Sequence, residues 1–310
     1  KVLKAVSNCP FDCSYCFLQN YLNDGTTKVI GDIAAMMTEV DDQLMAHPNR
    51  FFRIGTWELG DSLALEEHVG QAKAFIHEFA KRSNVVLELK TKSDCVDGIL
   101  ACDHQGKTVV SWSVNTAFIV DTEEHRTARL HERILAMKKV VDAGYLVGLH
   151  FDPMIIHDGW EDGYANAVSD IFERVPPSRI AWISIGSLRF NPEQKDKMEE
   201  NFPRQTLTSE EMVLAPDNKI RYVKPLRLKM YQHLYGCLLD ACGVETLSPC
   251  ADPIPDRPIL YFCMERDDIY QKVIGDSPKN IQELDYLFAR NAHERFCIEG
   301  MSLPKEEDYN

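Results

Sequence analysis

The sequence lacks long hydrophobic runs and has no sign of a secretion signal. No stretch of eighteen apolar residues occurs, so we expect no helix that spans a membrane. The opening segment, Lys1–Val6, has none of the features of a signal peptide. The chain nevertheless contains ten cysteines, and many cysteines without a secretion signal are typical of a reducing compartment. We therefore predict a cytoplasmic protein without a membrane partner.

Positive charge is also scarce. Lysine and arginine together number 34 against 48 aspartates and glutamates, which gives a formal net charge of −14. A broad, sequence-independent grip on DNA needs clustered cations, so the composition disfavours DNA binding without excluding it. The strongest candidate for a local basic groove is the run formed by Lys219, Arg221, Lys224, Arg227 and Lys229. An ordinary solvated helix face explains the same run, and we favour that interpretation.

Three cysteines stand close together near the start of the chain. Cys9, Cys13 and Cys16 are separated by three and then two residues. Clustered thiolates hold iron–sulfur clusters, and three ligands leave one iron of a four-iron cubane open for chemistry. The alternative is a zinc site. Zinc usually takes four ligands, often as two Cys-x-x-Cys pairs, and no second pair lies nearby. The spacing therefore favours a [4Fe-4S] cluster.

Segments of strand and helix pattern alternate through the first 187 residues, which predicts an α/β fold with parallel strands. Strands are expected over Val2–Val6, Arg50–Trp57, Val85–Leu89, Val109–Val114, Tyr145–Phe151 and Ile180–Ile185, and helices over Gly31–Ala46, Leu65–Arg82, Ser93–Cys102, Arg126–Ala143 and Gly159–Val175. Six such units fit an open, partial β/α barrel. Sites in such barrels gather at the C-terminal ends of the strands.

The pattern changes after residue 187. We predict two domains, a barrel over residues 1–187 and a smaller α/β extension over 188–310 that covers the barrel mouth. The extension contains a helical pattern over Tyr222–Ala241 and a strand pattern over Ile259–Cys263.

The cysteine spacing, with Tyr15 just before the last cysteine, resembles the radical S-adenosylmethionine (radical SAM) superfamily. Cys16–Gln19, Ser111–Asn115 and the Asp152–Tyr164 segment DPMIIHDGWEDGY are similar to its spore photoproduct lyase-like branch, and the similarity extends over roughly residues 1 to 230. The resemblance implies that the amino and carboxylate groups of SAM chelate the open iron. The reduced cluster then cleaves SAM to methionine and a 5′-deoxyadenosyl radical.

The resemblance, together with positions at predicted strand ends, marks seven candidate SAM contacts. They are Tyr15 for the adenine, Glu58 for the SAM amino group, Lys92 for the SAM carboxylate, Ser113 and Asn115 for the ribose or carboxylate, and His150 and Asp152 for adenosine or substrate. Ser113 and Asn115 alternate along a strand, so both would point to the same side. Each candidate also has a structural explanation: a loop aromatic over the cluster, a surface salt bridge, a solvated lysine, a polar pair in the core or a structural histidine.

Members of the branch with known activity reverse a thymine dimer in DNA, and a cysteine returns a hydrogen to the product. The resemblance implies that this cysteine follows the second strand, but Gly55–Ser62 contains none. The leading prediction is therefore a radical SAM enzyme that acts on an unidentified nucleotide, small metabolite or peptide and takes electrons from a donor such as flavodoxin or ferredoxin. A lesion-repair enzyme with a relocated hydrogen donor is the alternative. A non-catalytic iron–sulfur scaffold or electron-transfer protein is the second alternative.

Four cysteines in the C-terminal part raise the question of an auxiliary cluster. Cys237, Cys242, Cys250 and Cys263 could supply four thiolates, but their spacing matches no known signature. Cys237 and Cys263 lie in apolar runs, where cysteine often behaves as a small hydrophobic residue. The sequence leaves both interpretations open.

Overall fold

The computed structural model describes residues 1–22, 24–242, 258–263, 265, 267–274, 289–290 and 305–309. Its strands are Val6–Ser7 (β1), Asp12–Cys13 (β2), Lys28–Val29 (β3), Phe52–Gly55 (β4), Val85–Thr91 (β5), Thr108–Ser113 (β6), Glu124–His125 (β7), Leu146–Met154 (β8), Ile180–Ser187 (β9), Arg189–Phe190 (β10), Met212–Leu214 (β11), Ile220–Tyr222 (β12) and Ile259–Phe262 (β13). Its α-helices are Leu18–Tyr21 (α1), Ile33–Ala46 (α2), Glu66–Val69 (α3), Gln71–Phe79 (α4), Ala117–Glu123 (α5), Leu130–Asp142 (α6), Trp160–Phe172 (α7), Pro192–Asn201 (α8), Lys224–Cys242 (α9) and Asp267–Val273 (α10).

A six-stranded parallel sheet forms the centre of the described structure. Its strand order is β13-β9-β8-β6-β5-β4, and every neighbouring pair is parallel. The sheet curls into a half-barrel. The predicted α/β class, with an open six-stranded barrel of parallel strands, is confirmed.

The central strands are buried on both faces. Every residue of β6 and β9 is buried, and β5 is buried except at Lys90. Helices cover the outer face of a parallel sheet, which is why such strands read as continuous apolar runs. Helix α4, for example, buries Phe75 and Phe79 against this core.

One edge of the sheet differs from the prediction. The expected first strand over Val2–Val6 forms only a bridge from Val2 to Gly55 of β4. The chain then leaves the sheet, because Val6 and Ser7 pair antiparallel with β3 instead. The sixth strand of the sheet is β13, at the opposite edge.

Strand β13 comes from the segment that the sequence assigns to a C-terminal extension. It pairs parallel with β9, with Ile259 opposite Trp182 and Phe262 opposite Ile185. The boundary after residue 187 remains a prediction. For the site, the consequence is that residues near 260 lie beside the strand ends of the half-barrel.

Two predicted helices are also different. The helix over Leu65–Arg82 is split into α3 and α4 at Gly70, which has a left-handed φ of 65°. The Glu66 carboxylate accepts hydrogen bonds from the amides of Ala72 and Lys73 and so caps the second helix. The segment Ser93–Cys102 forms turns rather than a helix. The Ser93 hydroxyl accepts a hydrogen bond from the backbone amide of Cys95, and such local bonds compete with helix formation.

Within the described residues, no helix has both the length and the apolar character that crossing a membrane requires.

Candidate functional site

A cavity of about 490 Å³ opens where the strands of the half-barrel end. All six strands contribute to its wall: Trp57 and Glu58 after β4, Lys90, Thr91 and Lys92 at the end of β5, Ser113 at the end of β6, His150 and Asp152 in β8, Ser184 in β9, and Tyr261 and Cys263 at the end of β13. The remaining wall includes the predicted cluster ligands Cys9, Cys13 and Cys16. The volume is within the range of small-molecule sites in proteins.

The cysteine loop is held in place through its backbone. Cys13 pairs with Glu124 in the short β2–β7 ladder. The Gln19 side-chain amide donates to the carbonyls of Cys13 and Ser14, at 3.1 and 2.9 Å. Gln194 of α8 donates to the Tyr15 carbonyl at 3.0 Å. These contacts fix the loop while leaving its thiols on the cavity wall.

Burial controls the protonation of the three thiols. It raises the pKa of Cys9 to about 12, and it raises the pKa values of Cys13 and Cys16 as well. The charge of Lys92 opposes the shift at all three thiols. Bound metal deprotonates a coordinating thiol outright, so a metal group with Lys92 beside it is the environment in which these thiolates become stable.

The chemistry of this donor set fits an iron–sulfur cluster, because such clusters are held by cysteine thiolates. In the described part of the chain, no three Cys, His, Asp or Glu side chains converge as they would around one metal ion. The thiolates of a cubane each bind a different iron, so they need not converge on one point. Three sulfur ligands on one cavity wall are compatible with a [4Fe-4S] cluster that has one open iron.

A buried charge network lies behind the cysteine loop. The Tyr15 hydroxyl donates to Glu124, and Arg133 of α6 pairs with the same carboxylate at 2.6 Å. Lys92 lies 4.0 Å from Glu124, with its ammonium 5.5 Å from the Tyr15 ring centroid. Burial alone would raise the pKa of Glu124, but the charges of Arg133 and Lys92 outweigh it and hold the pKa below its ordinary value.

The same network keeps Lys92 charged. Burial alone would lower the pKa of Lys92, but Glu124 and the nearby thiols outweigh it and raise the pKa. Lys92 therefore presents a fixed positive charge to the cavity beside Tyr15.

Glu58 and Ser113 lie on the cavity wall, whereas Asn115 is not among the residues that line it. Asn115 is buried, donates to the Pro153 carbonyl at 3.0 Å and accepts from the Tyr164 hydroxyl at 2.6 Å. Its amide thus links the end of β6 to β8 and α7. The expected alternation does not bring Ser113 and Asn115 into one pocket, because strand β6 ends at Ser113.

His150 and Asp152 both line the cavity, and both are already hydrogen-bonded within the protein. Asp152 pairs with Arg189 at 2.9 Å. Burial opposes its ionisation, but Arg189 and Lys90 lower its pKa to about 2. Burial, with Lys90 nearby, lowers the pKa of His150 to about 4, so this imidazole is neutral at pH 7.

Glu88, which the sequence analysis did not single out, is the fully buried hub beneath the cavity. Its carboxylate accepts hydrogen bonds from Arg53 at 2.7 Å, from Ser111 at 2.7 Å and from the indole nitrogen of Trp182 at 3.0 Å. His150 Nε2 lies 2.8 Å away. Because the carboxylate only accepts, Nε2 carries the proton and His150 Nδ1 accepts from a serine hydroxyl. In the sequence, the feature that could have identified Glu88 is its position as a single carboxylate within the apolar run of β5.

Asp61 is the second residue that sequence reasoning missed. Its carboxylate accepts from the Thr91 hydroxyl at 2.6 Å and from the Lys92 amide at 2.7 Å, and it also accepts the amides of Leu63 and Ala64. Asp61 therefore joins the loop after β4 to the end of β5 and fixes the backbone of Lys92. The available signal in the sequence was an aspartate in the segment that follows the second predicted strand.

Three of the four C-terminal cysteines lie in the described part of the chain. Cys237 and Cys242 lie on α9, and Cys237 Sγ is 3.7 Å from His233 Nε2 of the same helix. Cys263 lies on the cavity wall. Cys250 lies outside the described residues, so an auxiliary cluster remains an open prediction.

Comparison with known proteins identifies related sequences and structures. The family model for spore photoproduct lyase matches residues 3–225. The spore photoproduct lyase of Bacillus subtilis is 26% identical over 208 residues, covering 66% of this chain and 61% of that protein. The enzyme of a Geobacillus strain is 27% identical over 213 residues with the same coverage. The chain thus spans less than two thirds of the length of these relatives.

Solved structures show the likeness of fold. A spore photoproduct lyase complexed with dinucleoside spore photoproduct has a TM-score of 0.73 at 19% identity, covering 84% of this chain and 76% of that one. A variant with bound AdoMet and the same dinucleoside has a TM-score of 0.71 at 20% identity, covering 83% and 74%. Because the family model matches well over half of the chain, the chain belongs to the spore photoproduct lyase family.

Proposed function

We propose that this chain is a radical SAM enzyme that reverses a spore-photoproduct-type thymine dimer. The observation that carries the proposal is the placement of Cys9, Cys13 and Cys16 on one wall of a cavity at the strand ends, in a chain of this family. From the sequence, lesion repair was the alternative to a reaction on an unidentified substrate. Family membership favours lesion repair.

The chain's own residues would hold the two cofactors. Cys9, Cys13 and Cys16 would bind the cluster as thiolates, and Lys92 would pair with the SAM carboxylate. Glu58, exposed at the cavity wall, would take the SAM amino group. When bound, the cluster would supply an electron that cleaves SAM to methionine and a hydrogen-abstracting 5′-deoxyadenosyl radical.

Other residues of the site would orient the nucleoside part and exclude water. Tyr15, fixed by its bond to Glu124, would pack on the adenine, and Ser113 would bind the ribose or carboxylate. His150 has both ring nitrogens hydrogen-bonded, at 2.6 and 2.8 Å, so we assign it a positioning role. Asp152 is paired with Arg189, so it would contact substrate only as part of this ion pair.

The charge around the cavity supports a nucleotide substrate of limited size. The chain is acidic overall, yet five cations line this cavity against three carboxylates, those of Glu58, Asp61 and Asp152. The cations are Lys90, Lys92, Lys219, Arg53 and Arg189. A local group of cations can attract an anionic guest even on an acidic protein. A dimer lesion in a dinucleotide or short DNA segment fits this distribution better than a long duplex gripped along its backbone.

Anaerobic turnover tests the proposal. The reconstituted, reduced protein is mixed with SAM and dinucleoside spore photoproduct, and 5′-deoxyadenosine and repaired dinucleotide are measured by liquid chromatography and mass spectrometry. We expect both products. Full iron loading with no 5′-deoxyadenosine would contradict the radical SAM assignment, and 5′-deoxyadenosine with an unchanged dimer would contradict the substrate.

Matched variants make the test specific. Cys13→Ala should lose the bound iron and both products. Cys102→Ala should keep them, because Cys102 lies in the turn segment outside the cavity wall. Equal activity in the two variants would argue against a cluster held by the cysteine loop.

The same sample distinguishes the non-catalytic scaffold. A scaffold or electron-transfer protein predicts that SAM leaves the paramagnetic spectrum of the reduced cluster unchanged, whereas an open iron predicts a changed spectrum. Replacing the chemical reductant by reduced flavodoxin or ferredoxin tests the proposed electron donor, for which we expect 5′-deoxyadenosine to form.

A further inference from the structure

In the described part of the chain, one thiol besides those of the cysteine loop lines the cavity. Cys263 follows β13 directly, and its amide donates to the Ile185 carbonyl of β9 at 2.7 Å. The parallel pairing of β13 with β9 therefore holds this cysteine at the edge of the sheet opposite β4.

Cys263 has different neighbours from the cysteine loop. Arg189 Nη2 lies 3.2 Å from its sulfur, and Arg189 is in turn paired with Asp152 at 2.9 Å. The charges that act on this thiol are those of Asp152, Arg189 and Lys90, whereas the loop thiols respond to one another and to Lys92. The charged neighbours of Cys263 are thus different from those of the cysteine loop.

The thiol keeps its hydrogen in this position. It is only partly exposed, and burial, reinforced by Asp152, raises its pKa to about 12. An S–H bond is among the weakest bonds to hydrogen that protein side chains offer. A neutral thiol facing a cavity in which a carbon radical forms is therefore positioned to donate a hydrogen atom.

We propose that Cys263 is the hydrogen-atom donor that ends the reaction proposed above, on which this inference rests. The S–H bond of Cys263 breaks homolytically, a C–H bond forms on the product radical, and a sulfur-centred radical remains. One electron from a low-potential one-electron carrier, together with one proton, restores the thiol. The chain thereby has a hydrogen donor directly after β13, although the segment after β4, Gly55–Ser62, contains no cysteine.

Two phenol groups also lie on the cavity wall, those of Tyr15 and Tyr261. The Tyr15 hydroxyl donates to Glu124. The Tyr261 hydroxyl, on β13, accepts a hydrogen bond from Arg53 at 2.9 Å.

The first test needs no turnover. Cluster-loaded protein is treated with iodoacetamide under anaerobic, non-reducing conditions, and alkylation of each cysteine is measured by peptide mass spectrometry. We expect Cys263 to be alkylated slowly, because the thiolate is the reacting form and burial raises the pKa of this thiol to about 12, and more slowly still with SAM plus dinucleoside spore photoproduct present. Cys102 should react equally in both samples. Equal alkylation of Cys263 with and without these ligands would overturn the assignment.

The second test follows the hydrogen. In D₂O the thiol exchanges to S–D, so the wild-type protein should place one solvent deuterium in the repaired product. Cys263→Ala and Cys263→Ser should keep their iron and still form 5′-deoxyadenosine, but lose the deuterated product. Cys102→Ala, which lies outside the cavity wall, should retain it. Unchanged deuterated product from both Cys263 variants would overturn the inference while leaving the proposed function intact. A wild-type protein that repairs nothing would overturn the proposed function and this inference with it.

Discussion

At the scale of single residues, two buried carboxylates organise the site from behind. Glu124 joins Tyr15, Lys92 and Arg133, and Glu88 joins strands β4, β5, β6, β8 and β9 through its hydrogen bonds. Taking a carboxylate out of water is costly unless its partners are complete. Each carboxylate is therefore stable only with all of its donors in place, and this requirement fixes the positions of several cavity residues.

Replacing Arg133 tests the first network. Arg133 is fully buried and also donates to the Ser113 and Ala128 carbonyls, so Arg133→Met leaves Glu124 with an incomplete set of partners. We expect the free energy of unfolding to fall by about 3–5 kcal/mol, measured by urea denaturation. Arg174→Met, which removes an exposed pair with Glu173, should change it by less than about 0.5 kcal/mol. Similar losses in both variants would contradict a buried network.

His150 predicts an acid dependence of stability. The unfolded chain protonates this imidazole near its ordinary value of 6.5, whereas the folded chain does so only near pH 4, because burial and Lys90 lower the folded pKa to about 4. The unfolded state therefore binds more protons in this window, and stability falls as pH drops from 6.5 towards 4, with a slope of at most about 1.4 kcal/mol per pH unit.

The His150→Gln variant isolates this contribution. Its unfolding free energy should be lower at pH 7, because a partner of Glu88 is replaced, but its decline between pH 6.5 and 4.5 should be shallower than that of the wild type. Glu88 and Asp152 contribute only below their ordinary values of 4.5 and 3.8. His104, whose pKa burial also lowers, is present in both proteins. Parallel stability curves would show that His150 titrates normally.

At the scale of elements, close packing between strands sets the floor of the cavity. Gly148 of β8 lies between β6 and β9, opposite Ser111 and Trp182. A Cβ at Gly148 would lie 2.2 Å from the Ser111 hydroxyl and 2.5 Å from the Trp182 indole nitrogen. Both of those groups donate to Glu88. Strand spacing, glycine and the buried carboxylate therefore depend on one another.

Gly148→Ala should consequently be destabilising by about 1–3 kcal/mol or more, through overpacking and displaced donors to Glu88. Gly236 lies inside helix α9 with open space around the position of a Cβ, so Gly236→Ala should stabilise by about 0.5–1 kcal/mol. Thermal and urea unfolding of the two variants measure this contrast. Equal effects would mean that the packing around Gly148 yields at little cost.

At the scale of the whole molecule, iron stoichiometry decides how many clusters the chain holds. The cysteine loop would account for one [4Fe-4S] cluster, and Cys237 and Cys242 lie on α9, whereas Cys263 lies on the cavity wall. We expect about four irons per chain after anaerobic reconstitution, with little change in Cys237→Ala or Cys242→Ala. About eight irons, falling to about four in these variants, would instead establish an auxiliary cluster.

The sequence alone determined what depends on local pattern. Alternating strand and helix segments specify a parallel half-barrel, because each pattern follows from burial on one or both faces of an element. The spacing of Cys9, Cys13 and Cys16 predicts a cluster-binding loop, because residues close in sequence are close in space in any fold. Cavity residues at the ends of predicted strands, such as Lys92 and His150, follow from the rule that sites gather there.

Tertiary structure decided everything that depends on pairing across long stretches of chain. The pairing of Ile259–Phe262 with β9 brings Cys263 to the cavity wall. At the other edge of the sheet, Val2–Val6 forms only a bridge to β4. Glu88 and Asp61 became site residues only because their partners come from other strands and loops. Long-range pairing minimises the free energy of the whole sheet, and no local pattern along the chain encodes which edge a late strand will join.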